Sequence, residues 1–169
     1  MNPNDLSYGE NLIIEKLYDD QKIKKYTYKT KPQKRTIIID NEAYIESLME
    51  EDNYDEEEIE EIIDIEQRRI NVPELVFLIT IYEHKYGMSE LGSFKVFISE
   101  NNQLYKSSFL NLYDGGVICL GDNILKSPTL TPKDVVSHFW NSSFNFSLCD
   151  HKKWEKGSKI NLTDFLSSL

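Results

Sequence analysis

The stretch from Leu75 to Leu112 constrains the fold most, because it holds consecutive strand-like runs with turn formers between them. Leu75 to Tyr82 carries Val76, Phe77, Ile79 and Ile81, the β-branched and aromatic types that suit a pleated surface. In Ser93 to Ser99, Phe94, Val96 and Ile98 face one way while Lys95 and Phe97 face the other. His84 to Gly92, with its two glycines, reads as the loop between these runs, and Asn101-Asn102 turns the chain again before Leu104 to Leu112. Strands that follow one another through short turns pair antiparallel, so the pattern predicts an antiparallel β-meander.

Pro73 breaks the pattern upstream of that meander. Asn11 to Thr30 alternates on either side of Asp19-Asp20-Gln21 and predicts a β-hairpin. A helix from near Glu10 competes for the first half, since Leu12, Ile13, Lys16 and Leu17 also recur at helical spacing. Thr36 to Met49 reads as strand, cap and helix: Thr36-Ile37-Ile38-Ile39 is β-rich, and Asp40 can cap a helix through Ala43, Tyr44, Ser47 and Leu48. The acidic, low-complexity Glu50 to Glu57 reads as a flexible loop. Ile59, Ile62, Ile63 and Glu66 then predict a helix closing at Arg68-Arg69, with acids near its start and cations at its end. Downstream, Thr131-Pro132-Lys133-Asp134 has the order of an N-cap, a first-turn proline and a capping-box acid, opening a helix that carries Val135, Val136, Phe139 and Trp140. The tail from Asn145 is polar apart from Trp154 and an amphipathic turn near Phe165 and Leu166, which is expected to dock on the core. The expectation is one α+β domain, an antiparallel β-meander flanked by helices. It divides into an N-terminal hairpin and helices (1–71), a core (72–146) and a C-terminal tail (147–169).

A chain of 169 residues, 40% of them hydrophobic, is long enough for one sizeable core and short for two. A net charge of −10 argues against nucleic acid as the main partner, because phosphate binding needs a basic surface. The charge is uneven, basic over Lys22 to Arg35 and acidic over Glu50 to Glu66. These are either solvated faces or a polarised surface that selects a charged partner. No apolar run approaches the length of a membrane span, and Met1 to Asp5 lacks the basic and apolar regions of a signal peptide; a cytoplasmic location with no membrane partner is expected. In that reducing compartment Cys119 and Cys149 read as thiols rather than a bridge. Together with His84, His138 and His151 they reach no zinc-site spacing, so no metal is expected.

Cys119 sits in Val117-Ile118-Cys119-Leu120, an apolar segment with Asp114-Gly115-Gly116 on one side and Gly121-Asp122-Asn123 on the other. Turns that close on both ends fix the direction of the side chains between them. The thiol is then either a small buried apolar group or a nucleophile held in place. A cysteine protease would need His84, His138 or His151 to approach in space, since none is beside Cys119 in sequence. A serine hydrolase lacks its nucleophile elbow, and Asp114-Gly115-Gly116-Val117 lacks the Gly-Lys-Ser/Thr end of a phosphate loop.

Asn111 eight residues before the cysteine, Gly116 three before it and Ile118-Cys119-Leu120 resemble the active-site segment of ubiquitin-conjugating enzymes, where a His-Pro-Asn triplet precedes a glycine turn and Ile-Cys-Leu at the same spacing. Ser127-Pro128-Thr129-Leu130-Thr131 is similar to the Ser-Pro-Ala-Leu-Thr that opens the next helix in many of them. Phe109 and Leu110 stand where the family has His and Pro, and Lys126 where it has tryptophan. With the aromatic-rich Tyr105 to Phe109, the Cys-Leu-Gly step and Phe139-Trp140-Asn141-Ser142-Ser143-Phe144, the chain resembles the prokaryotic ubiquitin-conjugating-like family D, which includes the protein B of PRTRC systems. The likeness runs from Val72 to Phe146.

This resemblance implies a ubiquitin-conjugating-like fold and a modifier carried as a thioester on Cys119 and passed to an amine. It also implies a ThiF-like activating enzyme, a ubiquitin-like modifier and a protein substrate as partners, and no cofactor. Asn111 then resembles the amide that steadies the oxyanion, or else it holds the turn through backbone bonds. Asp114 and Asp122 flank the segment, either orienting the incoming lysine or simply forming turns, and His138 lies on the following helix. Loss of the His-Pro pair keeps an alternative open, a catalytically inactive interaction domain that binds partners in an accessory plasmid or defence system through its acidic segment.

Overall fold

The N-terminal segment begins the main sheet. In the computed structural model, which describes residues 2–51, 55–120, 125–161 and 163, β1 (Gly9–Leu17) and β2 (Gln21–Thr30) form the expected hairpin, and no helix starts near Glu10. β3 (Gln33–Asp40) leads into α1 (Glu42–Met49), whose N-cap is Asn41 and not Asp40 as expected; the Asp40 carboxylate, one residue earlier, still accepts the Glu42 N–H at 3.1 Å. α2 (Glu56–Glu61) is short. The predicted helix to Arg69 is corrected here: Ile62 is already extended, and β4 (Ile65–Val72) pairs antiparallel with β3, setting Arg68 opposite Ile37 and Arg69 opposite Thr36. The pairing buries Ile37 and Ile39 beside Ile70 and Val72, a gain that outweighs the helical spacing of the preceding isoleucines. Of the acidic stretch read as a loop, 52–54 lie outside the described residues and Glu56–Glu57 are helical.

β5 (Leu75–His84), β6 (Ser89–Glu100) and β7 (Gln103–Ser108) are the predicted meander. The expected loop from His84 to Gly92 shrinks to a turn at 85–88, because β5 and β6 continue pairing toward it. Asn101 and Asn102 both take positive φ (50° and 63°), the backbone a two-residue hairpin turn requires. β8 (Lys126–Ser127) is a two-residue pairing on β6, and α3 (Pro132–Asn141) opens with the capping box reciprocated: Thr131 Oγ1 accepts the Asp134 N–H at 3.2 Å and Asp134 Oδ2 accepts the Thr131 N–H at 3.0 Å. β9 (Glu155–Ile160) was not expected in the polar tail; it pairs with β7 and completes the order β1-β2-β5-β6-β7-β9, with β8 beside β6. The turn expected at Phe165 and Leu166 lies outside the described residues.

Alternation along β5 divides two cores. Leu75, Phe77, Ile79 and Ile81 face a large cluster shared with β3, β4 and α3, while Val76 and Leu78 join Leu6, Phe97 and Leu104 on the opposite face. The fold is thus α+β, mostly antiparallel sheet with the helices α1, α2 and α3, of which α3 packs into the large core. Among the described residues no helix is long and apolar enough to cross a membrane.

Glu66 on β4 ties the second sheet to the tail, accepting from Arg68 at 3.0 Å and from Lys152 at 3.1 Å. The Arg68 hydrogen bond, aided by Lys152, holds the Glu66 carboxyl below the usual glutamate range. A depressed carboxyl stabilises the fold above its unfolded value and loses that contribution as pH falls through the folded one. Glu66→Gln is therefore expected to lower the urea midpoint at neutral pH, with the difference from the parent shrinking as pH drops below about 4.3.

Candidate active site

The sheet itself positions the cysteine. On the edge of β6, β7 pairs with Phe97 to Glu100 and β8 with Ser89 and Glu90. The segment around Ile118 fills the gap between them: Val96 N–H donates to Gly116 O and Ile118 N–H to Phe94 O, each at 2.9 Å. Gly116 makes the approach possible. Its φ is +86°, and a Cβ there would lie 2.5 Å from the Val96 carbonyl oxygen. The chain between β7 and Cys119 folds into a tight hairpin in which Leu112 bridges Ile118, Tyr113 N–H donates to Val117 O at 2.8 Å, and Cys119 N–H donates to Asn111 O at 2.9 Å. Ile118 points into the core, so Cys119, one residue on, turns to the other face and stays half-buried.

Asn111 is buried at φ +64°, a left-handed backbone that asparagine tolerates better than most residues. Its side-chain amide donates to Ser143 O at 3.0 Å, and its carbonyl accepts the Asn145 N–H at 3.2 Å. It therefore fastens the segment after α3 to the cysteine hairpin. Asn41 grips the same segment from the other side, accepting the Phe146 N–H at 2.9 Å. One of the two amide N–H bonds of Asn111 is thus taken by Ser143 O.

A cleft of about 330 Å³ lies where these elements meet, and its walls include Cys119, Asn111, His138, Leu120 and Leu148. Three residues singled out from the sequence thus share one cavity. Its lining is mixed: the apolar Leu120 and Leu148 together with serine and asparagine groups that can bond a peptide backbone. The other histidines are elsewhere, His84 3.3 Å from the Glu90 carboxylate and His151 3.2 Å from Glu155. Asp114 is exposed at the tip of the hairpin turn, and Asp122 lies outside the described residues. Among the described residues, His, Cys, Asp and Glu form no group of three placed to hold a metal ion.

A residue absent from the sequence expectations is Tyr113, whose hydroxyl donates to the Cys119 sulfur across 3.7 Å. That bond, with the nearby sulfur's charge and some burial, raises the phenol above its ordinary value. Hairpin register carried the signal. With Leu112 opposite Ile118, positions 113 and 119 become diagonal neighbours on the face away from the core. At the second thiol, burial, together with Asp150 and Glu155, pushes Cys149 up, and the His151 N–H at 3.4 Å offsets this only in part.

Compared with known families, the chain matches prokaryotic E2 family D over residues 3–168. The chain is a member of prokaryotic E2 family D. Membership places it among ubiquitin-conjugating-like proteins, which in general interact with a modifier and an activating enzyme. The match also exceeds the Val72 to Phe146 likeness seen in the sequence, taking in the N-terminal hairpin that extends the sheet and the tail that supplies β9. No curated protein and no solved structure was found to match.

Proposed function

We propose that this family D member is a bacterial, cytoplasmic conjugating enzyme that accepts a ubiquitin-like modifier as a thioester on Cys119 and transfers it to an amine of a protein substrate. The observation that carries this reading is the half-buried thiol at a cleft it shares with Asn111 and His138. Cys119 attacks the thioester carbonyl of the modifier on a ThiF-like activating enzyme, and the activating enzyme's thiolate leaves. Neither nucleic acid, membrane nor cofactor takes part. The cleft, lined by serine and asparagine groups as well as two leucines, suits an extended modifier C-terminus. The second N–H of Asn111 is assigned to the oxyanion of each tetrahedral intermediate. His138 is assigned to the proton of the incoming amine, with Asp114 orienting that amine from the hairpin turn and Asp122, outside the described residues, assigned to the same task. Gly116 serves the thiol indirectly, by letting its segment lie against β6.

Incubation with modifier, activating enzyme and ATP is expected to give an adduct that dithiothreitol removes. Cys119→Ala should abolish it and Cys149→Ala should leave it intact. An adduct that survives in Cys119→Ala sinks the proposal.

A binding-only role is the second reading, favoured by the use of both ends of the Asn111 side chain to hold residues 143–145. It predicts normal partner capture by a protein that never forms the adduct.

A further inference from the structure

The Tyr113 ring belongs to neither core cluster. It is 48% exposed, at the end of a hairpin whose register is fixed by the Tyr113 to Val117 and Gly116 to Tyr113 backbone bonds (2.8 and 3.1 Å). What the fold secures is the placement of its hydroxyl, 3.7 Å from the Cys119 sulfur. We propose that Tyr113 is a catalytic residue of thioester discharge, its hydroxyl stabilising the negative charge that develops on the Cys119 sulfur as the acyl group departs. This rests on the conjugation reading of Cys119.

In discharge, the lone pair of an amine attacks the thioester carbonyl carbon, a C–N bond forms, and the carbonyl electron pair moves onto oxygen. Collapse restores the C=O bond and breaks the C–S bond. The bonding pair goes to sulfur, and the amine nitrogen gives its proton to solvent or a nearby base. Sulfur therefore passes from neutral in the thioester to anionic in the product. Hydrogen bonds to ionised acceptors are roughly twice as strong as those to neutral ones. A hydroxyl fixed on the sulfur thus favours the departing anion over the intact thioester, which is the differential binding that accelerates a step. Loading runs the charge the other way, from anionic to neutral sulfur, and gains nothing from the same bond.

The asymmetry supplies a test that needs no modifier. Tyr113→Phe keeps the ring and removes only the hydroxyl, and a Cys149→Ser background leaves Cys119 as the remaining thiol of the full chain. Cys119 is acetylated with p-nitrophenyl acetate, and loss of the acetyl mass to added hydroxylamine is followed by mass spectrometry. Discharge is expected to be about tenfold slower in Tyr113→Phe, with acetylation little changed. Equal discharge rates overturn the role of Tyr113 and leave the conjugation reading standing. An equal slowing of acetylation and discharge also overturns it, as the mark of a distorted loop. A Cys119 that takes no acetyl group in either protein overturns the conjugation reading, and the proposal with it.

Discussion

Phe109→Ala is expected to lower the unfolding free energy by about 3–5 kcal/mol, the range for deleting a large aromatic from a packed core. Phe109 is 0% exposed, stacks on Trp154 with ring centroids 4.4 Å apart and planes 10° from parallel, and meets Phe144 edge-on at 5.8 Å. It therefore joins three segments: the end of β7, the stretch after α3 and the start of the tail. Family resemblance puts a histidine here; in this chain the position has been given to the core. Removing the ring leaves a cavity under the cysteine hairpin and deprives Trp154 of its stacking partner. Urea unfolding of the variant should show the lowered midpoint, and Trp154 emission should move to longer wavelength in the folded baseline. A loss under about 1 kcal/mol would mean the site collapses around the gap.

The second large effect belongs to Gly116. Alanine there meets two penalties, a left-handed backbone at φ +86° and a Cβ 2.5 Å from the Val96 carbonyl oxygen. The obstructing atom is main chain of β6, so it cannot move without disturbing the 2.9 Å bond from Val96 N–H to Gly116 O. The expected cost is about 2–4 kcal/mol, with the cysteine segment displaced from the sheet. Gly115 is a built-in control: its φ is also +86°, but nothing lies within 4 Å of a Cβ placed there. Gly115→Ala carries the conformational penalty alone, about 1 kcal/mol. Equal losses in the two variants, measured by chemical denaturation, would show that contact with β6 is not what fixes glycine at 116.

The parts of this fold legible from sequence are those whose signal is local. β5 is a nearly unbroken apolar run after Pro73, β6 carries apolar residues at alternate positions, and α3 announces itself through Thr131, Pro132 and Asp134. β4 was hidden because Ile59, Ile62 and Ile63 continue a helical spacing, while the partner that makes a strand of Ile65–Val72 lies about thirty residues earlier. β9 was hidden for another reason: Glu155 to Lys159 are all exposed and only Ile160 turns toward the core, so an edge strand left no alternation to read. The site divides the same way. A thiol pinned after a glycine turn is a local pattern. The hold of Asn111 on residues 143 and 145 spans more than thirty residues, and the reach of Tyr113 to the sulfur appears only once the hairpin register is known.

The most direct measurement is to load the wild-type protein with modifier in the absence of reducing agent, digest the adduct and locate the attachment by mass spectrometry. The modifier's C-terminal carboxyl should be found on the peptide containing Cys119, in a linkage that hydroxylamine cleaves. Attachment at Cys149 or at a lysine, with Cys119 unmodified, would contradict the account.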